Sequence, residues 1–182
     1  MRNITYSLTI FCFLTFFQSC EKDTTFLITE DSVGPLSKTT PVADLDNIFA
    51  KDSIVKDTSN LKIGDQIRKI QIFEKGGQHL LTLTPNSDSI PTIENVRIFD
   101  ARYTTSKGIG LKSTFQDIQQ KYTIKKIVTT LNSVVIFPKE SNLYFTIDKE
   151  ELPSDLRYVT SDIEAVQIPS TAKIKYLMLG WD

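Results

Sequence analysis

Apolar residues along this chain follow two periods, a helical one and an alternating one, and the same succession of periods occurs twice. Residues 40–55, TPVADLDNIFAKDSIV, align without gaps on 113–128, STFQDIQQKYTIKKIV. In the first segment Val42, Leu45, Ile48 and Phe49 share one helical face, and in the second Phe115, Ile118 and Tyr122 do the same. Each segment therefore predicts a short amphipathic helix. Ser113 is placed to cap its helix, with Gln116 three residues on to complete a capping box. Thr40 is placed likewise, with Pro41 suited to the first helical position. Asp44 and Asp117 match one another, and the positive end of a helix dipole is reason enough for both.

The alternating period follows each helix. Residues 72–83, IFEKGGQHLLTL, align on 136–147, IFPKESNLYFTI, with Ile72, Phe73, Lys75 and Thr82 identical to Ile136, Phe137, Lys139 and Thr146. Ile70-Gln71-Ile72 and Leu81-Thr82-Leu83 flank Lys75-Gly76-Gly77, which predicts a hairpin whose turn takes positive φ. Val134 to Phe137 and Leu143 to Ile147 predict a second hairpin around Pro138–Asn142. A closing strand ends each copy, with Ile93, Val96 and Ile98 set against Ile174, Leu177 and Leu179. The spacer between the blocks is 16 residues in the first copy (56–71) and seven in the second (129–135). Glycine turns, Val33-Gly34-Pro35-Leu36 and Gly108-Ile109-Gly110-Leu111, precede the helices. Gly108-x-Gly110 lacks the later glycine of a dinucleotide site and reads as a turn.

The expected fold class is α+β: two tandem copies of a short helix packed on an antiparallel sheet, residues 26–99 and 93–182, sharing a central strand. This pattern resembles the architecture of the beta-lactamase inhibitor protein and of the BamE-like outer-membrane lipoproteins. The segment Arg102-Tyr103-Thr104-Thr105-Ser106-Lys107-Gly108-Ile109-Gly110-Leu111-Lys112-Ser113-Thr114 is similar to uncharacterised lipoproteins of Bacteroidetes type. Neither resemblance supplies a catalytic residue.

The start of the chain carries an address. In MRNITYSLTIFCFLTFFQSC, Arg2 precedes an apolar run from Leu8 to Phe17, and Gln18 and Ser19 lead into Cys20. The run of about ten residues makes roughly 15 Å of helix, half of what a bilayer core requires. It reads as an export signal over residues 1–19. Ser19-Cys20 resembles the lipobox of bacterial lipoproteins, which implies cleavage before Cys20 and acyl chains on it. Phe17 stands where that motif usually has leucine. Two or more chains hold a protein stably on a membrane, whereas one does so only marginally. Residues 20–25 form a short polar tether, so the expected body is tethered to the membrane through Cys20. The localisation this implies is the cell envelope, as an outer-membrane lipoprotein facing periplasm or surface.

Composition narrows the chemistry. The chain has 21 Lys and Arg against 22 Asp and Glu, and losing Arg2 with the signal leaves 20 against 22, a net of −2. No basic excess exists to neutralise phosphates, so nucleic acid is not an expected partner. Two cysteines and one histidine exclude thiolate or imidazole metal clusters, and no metal or cofactor is expected. His79 is the only imidazole that a Ser–His triad could use, and its place in the hairpin just past Gly76-Gly77, aligned with Leu143 of the other copy, reads as filler rather than as a catalytic base.

The remaining candidate surface is the loop bearing Arg102, Tyr103, Thr104, Thr105, Lys107 and Lys112, between strand and helix, whose cations suit an anion or a partner's carboxylate. The alternative for that loop is a solvated turn whose tyrosine packs on the sheet. Trp181 reads as an anchor sealing the sheet. The leading functional expectation is a non-catalytic envelope binding or assembly module with a protein or glycan partner. Its alternatives are a surface hydrolase using two carboxylates drawn from acids such as Asp31, Asp100, Asp148 and Glu164, and a purely structural lipoprotein.

Overall fold

A computed structural model describes residues 23–57 and 69–181. Cys20, the signal and most of the first spacer lie outside the described residues. Strands dominate. A small sheet holds β1 (Leu27–Ile28), β2 (Ser32–Val33), β3 (Leu36–Ser37) and β8 (Thr104–Thr105), in the order β3-β2-β1-β8. A large one holds β4 (Ser53–Lys56), β5 (Ile70–Phe73), β6 (His79–Pro85), β7 (Ile93–Ile98), β9 (Ile124–Thr129), β10 (Ser133–Pro138), β11 (Leu143–Asp148) and β12 (Ile174–Gly180). Its order is β4-β5-β6-β7-β12-β11-β10-β9, antiparallel throughout. The only α-helices among the described residues are α1 (Leu45–Ile48), four residues long, and α2 (Phe115–Lys121), seven long.

The α+β expectation is thus overturned. Among the described residues the chain is mostly β, with twelve strands in two sheets. The reason is quantitative: α1 buries Leu45 and α2 buries Phe115 and Ile118, whereas all but the two edge strands of the large sheet bury a row. A helix of four to seven residues is far below the length of about 12–15 at which helices become even marginally stable alone, so each exists as a packed turn rather than a layer. The caps differ as well. Thr114, not Ser113, caps α2: its side chain accepts from the Asp117 N–H, and the Asp117 carboxylate accepts from the Thr114 N–H at 2.7 Å. In the first copy Thr40 Oγ1 accepts from the Ser37 N–H, and a single 3-10 turn, Val42–Asp44, leads into α1.

The two copies do not share a central strand either. Each keeps its own closing strand, and β7 and β12 pair with one another at the middle of the sheet. The equivalence of the other strands is visible in the register. Ile54 pairs Ile72 and Ile72 pairs Leu81; in the second copy Ile127 pairs Ile136 and Ile136 pairs Phe145. The closing strands are offset by two residues from the sequence alignment. Leu81 pairs Ile98 and its counterpart Phe145 pairs Leu177, which makes Leu177, not Leu179, the equivalent of Ile98. A two-residue slip leaves every side chain on its own face, and Ile98 and Leu177 pair with each other across the junction.

One apolar row consequently crosses the whole sheet: Ile54, Ile72, Leu81, Ile98, Leu177, Phe145, Ile136 and Ile127. The helices, the small sheet and the excursion from Lys149 to Lys173 send Leu45, Phe49, Phe115, Ile118, Ile28, Leu36, Ile163 and Ile168 into the same core as this row. Glycine is required where the small sheet closes on itself. Gly34 has φ +55°, and a Cβ on it would lie 2.4 Å from the Thr25 carbonyl oxygen. Trp181 is buried at the end of β12, in mid-sheet rather than at an edge, and its indole N–H donates to the Glu30 carbonyl at 2.9 Å.

Candidate binding surface

The loop from Arg102 to Lys112 is largely engaged within the chain. The Arg102 guanidinium binds both carboxylate oxygens of Glu74, at 3.0 and 3.1 Å, and both of Asp100. Its flat face lies 4.2 Å from the Phe26 ring centroid. Hydrogen bonds from Arg102 hold the Asp100 carboxyl below its ordinary range. Tyr103 is buried edge-on to Phe26, and that burial pushes its phenol up. Thr104 and Thr105 form β8 beside β1, and Thr105 Oγ1 accepts from the Ile109 N–H. Lys107 sits 4.2 Å from the Tyr122 ring and donates to the Lys121 carbonyl. Lys112 alone of the six is exposed without a hydrogen bond or ion pair among the described residues. The segment ties the small sheet to the β5–β6 hairpin and to the end of α2.

A different surface emerges on the large sheet. Alternation puts Gln71, Thr82, Arg97, Met178 and Tyr144 in one cross-strand row facing away from the core. Phe73, Phe99, Val135, Phe137 and Tyr176 face the same way. None of these apolar side chains belongs to the buried cluster or packs against it. They shelter one another instead. The His79 ring stacks between Phe73, with centroids 4.6 Å apart, and Phe99 at 3.8 Å. The Arg97 guanidinium lies 4.6 Å from the Phe99 ring and 3.8 Å from the Tyr176 ring. Further along, Phe137 stacks on Tyr144, Lys126 sits 4.6 Å from the Phe137 ring, and the Tyr144 hydroxyl accepts from Asn95. His79 Nε2 contacts the Leu81 carbonyl and Thr82 Oγ1 at 3.1 Å each. Burial, reinforced by the Arg97 charge, holds the imidazole below its ordinary range.

Sequence reasoning passed over this face because outward positions of a strand are expected to be solvated. One signal pointed to it. Phe73 and Phe137 are identical between the copies at outward positions, where core packing has no use for them.

A cleft of about 690 Å³ opens where the sheet meets the excursion, lined by Leu131, Asn132, Asp148, Lys149, Glu150, Arg157, Tyr158 and Lys175. Two acids share it, Asp148 and Glu150, so a carboxylate pair can be tested here. Asp148 is ion-paired with Lys175 and accepts from the Glu150 N–H. The lysine contact pushes its carboxyl down. Hydrolysis by two carboxyls needs one of them tuned up to act as the acid, and Asp148 is shifted the other way. Of the other acids, Asp31 pairs with Lys38 and Asp100 with Arg102. Glu164 takes part in capping the 3-10 turn Ala165–Gln167.

No family model matches the chain, and no curated protein matches it. Among solved structures it is similar to the uncharacterized protein YfeY from Escherichia coli, with a TM-score of 0.57 and 15% identity over 85% of this chain and 99% of that one. That likeness shows a common fold.

Proposed function

We propose that this chain is a lipid-tethered envelope protein that works by binding, and that it grips its partner through the open face of the large sheet. One observation carries the reading: an eight-stranded sheet whose outward row is aromatic and cationic and lies outside the core. These side chains are half-buried against one another rather than packed into the core, and contiguous apolar surface that reaches solvent marks interaction sites. Eight strands about 4.8 Å apart and about six residues long give a face of roughly 700 Å², close to the ~800 Å² each partner contributes to a standard interface. The Ser19-Cys20 motif supports a membrane tether three residues before the first described residue. The resemblance to Bacteroidetes-type lipoproteins points to the same compartment. No helix among the described residues is long and apolar enough to cross a membrane.

The test is positional. A photo-crosslinking residue placed at Thr82 or Met178, on the open face, is compared in native membranes with one at Ala43 or Gln119, which are not on that face. Adducts confined to the first pair are expected. Equal adduct formation at all four, or none at the open face, overturns the reading.

A further inference from the structure

We propose that Arg97 is the receptor for a carboxylate carried by an acidic protein segment that lies across the open face. The inference rests on that face being the binding surface. Arg97 stands on β7, one row from the junction between the two copies, with Met178 directly opposite. Its guanidinium carbon lies 4.6 Å from the Phe99 ring centroid and 3.8 Å from that of Tyr176, so aromatic rings hold it in place. Its Nε is buried and has no hydrogen-bond partner. No ion pair or hydrogen bond engages the rest of the group among the described residues, and its Nη atoms reach solvent. A planar fork steadied by aromatic rings with its Nη end free is a donor arrangement that binds a carboxylate through two parallel bonds.

The surroundings point to the same ligand. Of the acids on the described strands of the large sheet, Asp148 is ion-paired with Lys175 and Glu94 sits at the β6–β7 register shift, three residues from Arg97, while Lys126 rests over Phe137 with no acid partner among the described residues. The centre is therefore positive on a chain whose formal charge is −1. Aromatic edges carry the positive part of the ring quadrupole. The stacked rings of Phe73, His79 and Phe99 have spent faces on one another, which favours an oxygen-rich partner on their edges. The same stacking argues for a protein over a glycan, because a sugar ring binds by lying on an exposed aromatic face. A second copy placed face to face would set Arg97 against Arg97, and like charges repel.

The test uses the full-length protein in its native membranes with the crosslinker at Thr82, which neighbours Arg97 across β6 and β7. Arg97→Gln should lower the adduct tenfold or more, and Arg97→Lys, which keeps the charge without the planar fork, should lower it nearly as far. Met178→Glu places an internal carboxylate opposite Arg97 and should block the adduct without loss of thermal stability, so a folding defect cannot imitate the result. Added poly-glutamate should compete, and polygalacturonate at equal carboxylate concentration should not. No adduct in the parent protein means the open-face reading has failed. A parent adduct indifferent to all three substitutions overturns the carboxylate receptor and leaves the face reading standing. Stronger competition by polygalacturonate assigns the site to an acidic glycan and overturns the protein partner.

Discussion

At the scale of single residues, His79 and Asp100 show how neighbours decide what an ionisable group does. His79 is the one histidine, and burial between two phenylalanines holds its pKa down. Its folded pKa lies below the ordinary 6.5, so as pH falls the unfolded chain takes up a proton first and unfolding becomes easier. The stability is whole above about 6.5 and is lost as pH drops toward the folded value. Urea midpoints measured between pH 7 and 5 should therefore fall, and His79→Gln should flatten that slope; an unchanged slope in the variant removes His79 as its cause. Asp100 is nearly buried and accepts from both the backbone and the guanidinium of Arg102. Asp100→Ala should cost about 1–3 kcal/mol in urea unfolding, the usual penalty for orphaning such donors. Neither environment is legible in sequence: Glu74 and Phe26, which complete the Arg102 clamp, are far from it along the chain.

Elements were legible in kind and misjudged in weight. The glycine hairpin at Lys75-Gly76-Gly77 forms as its composition requires, with φ of +121° and +92° at the two glycines. Alternation located most strands of the large sheet because period two survives any detail of packing. The first helix is shorter than the Val42–Phe49 spacing predicts, since apolar spacing of i, i+3, i+4 over a single turn cannot tell a helix from the 3-10 turn beside it. The cap one residue later than Ser113 follows from a choice between two adjacent hydroxyl residues that only the Asp117 carboxylate settles. Thr114→Ala should lower stability by about 1 kcal/mol, while Ser113→Ala, whose hydroxyl accepts only from the Gly110 N–H, should cost less. Thermal melts of the two variants check the ordering.

At the scale of the molecule, the duplication makes two quantitative expectations. Ile72 and Ile136 are fully buried equivalents in the first and second copies. Ile72→Ala and Ile136→Ala should each cost about 2–5 kcal/mol. Four strands separate them, about 24 Å at sheet spacing, so the double variant should be additive to within roughly 0.5 kcal/mol. A strongly sub-additive double variant would show that the halves unfold separately. The tether is tested by Cys20→Ser, which should release the protein from the membrane fraction and abolish incorporation of labelled fatty acid; retention on the membrane would discard the lipid anchor.

The chain by itself determined the strands β5, β6, β7, β10, β11 and β12 and the hairpin turns after Phe73 and Phe137, because periodicity and glycine act over a few residues and need no partner to be recognised. Only the tertiary structure decided the rest: that β7 and β12 are two paired strands, that sheet outweighs helix, and that Arg102 is clamped while Arg97 stands open. Those outcomes depend on which side chains meet across strands distant in sequence, and a face acquires its character only when the strands that share it are laid side by side.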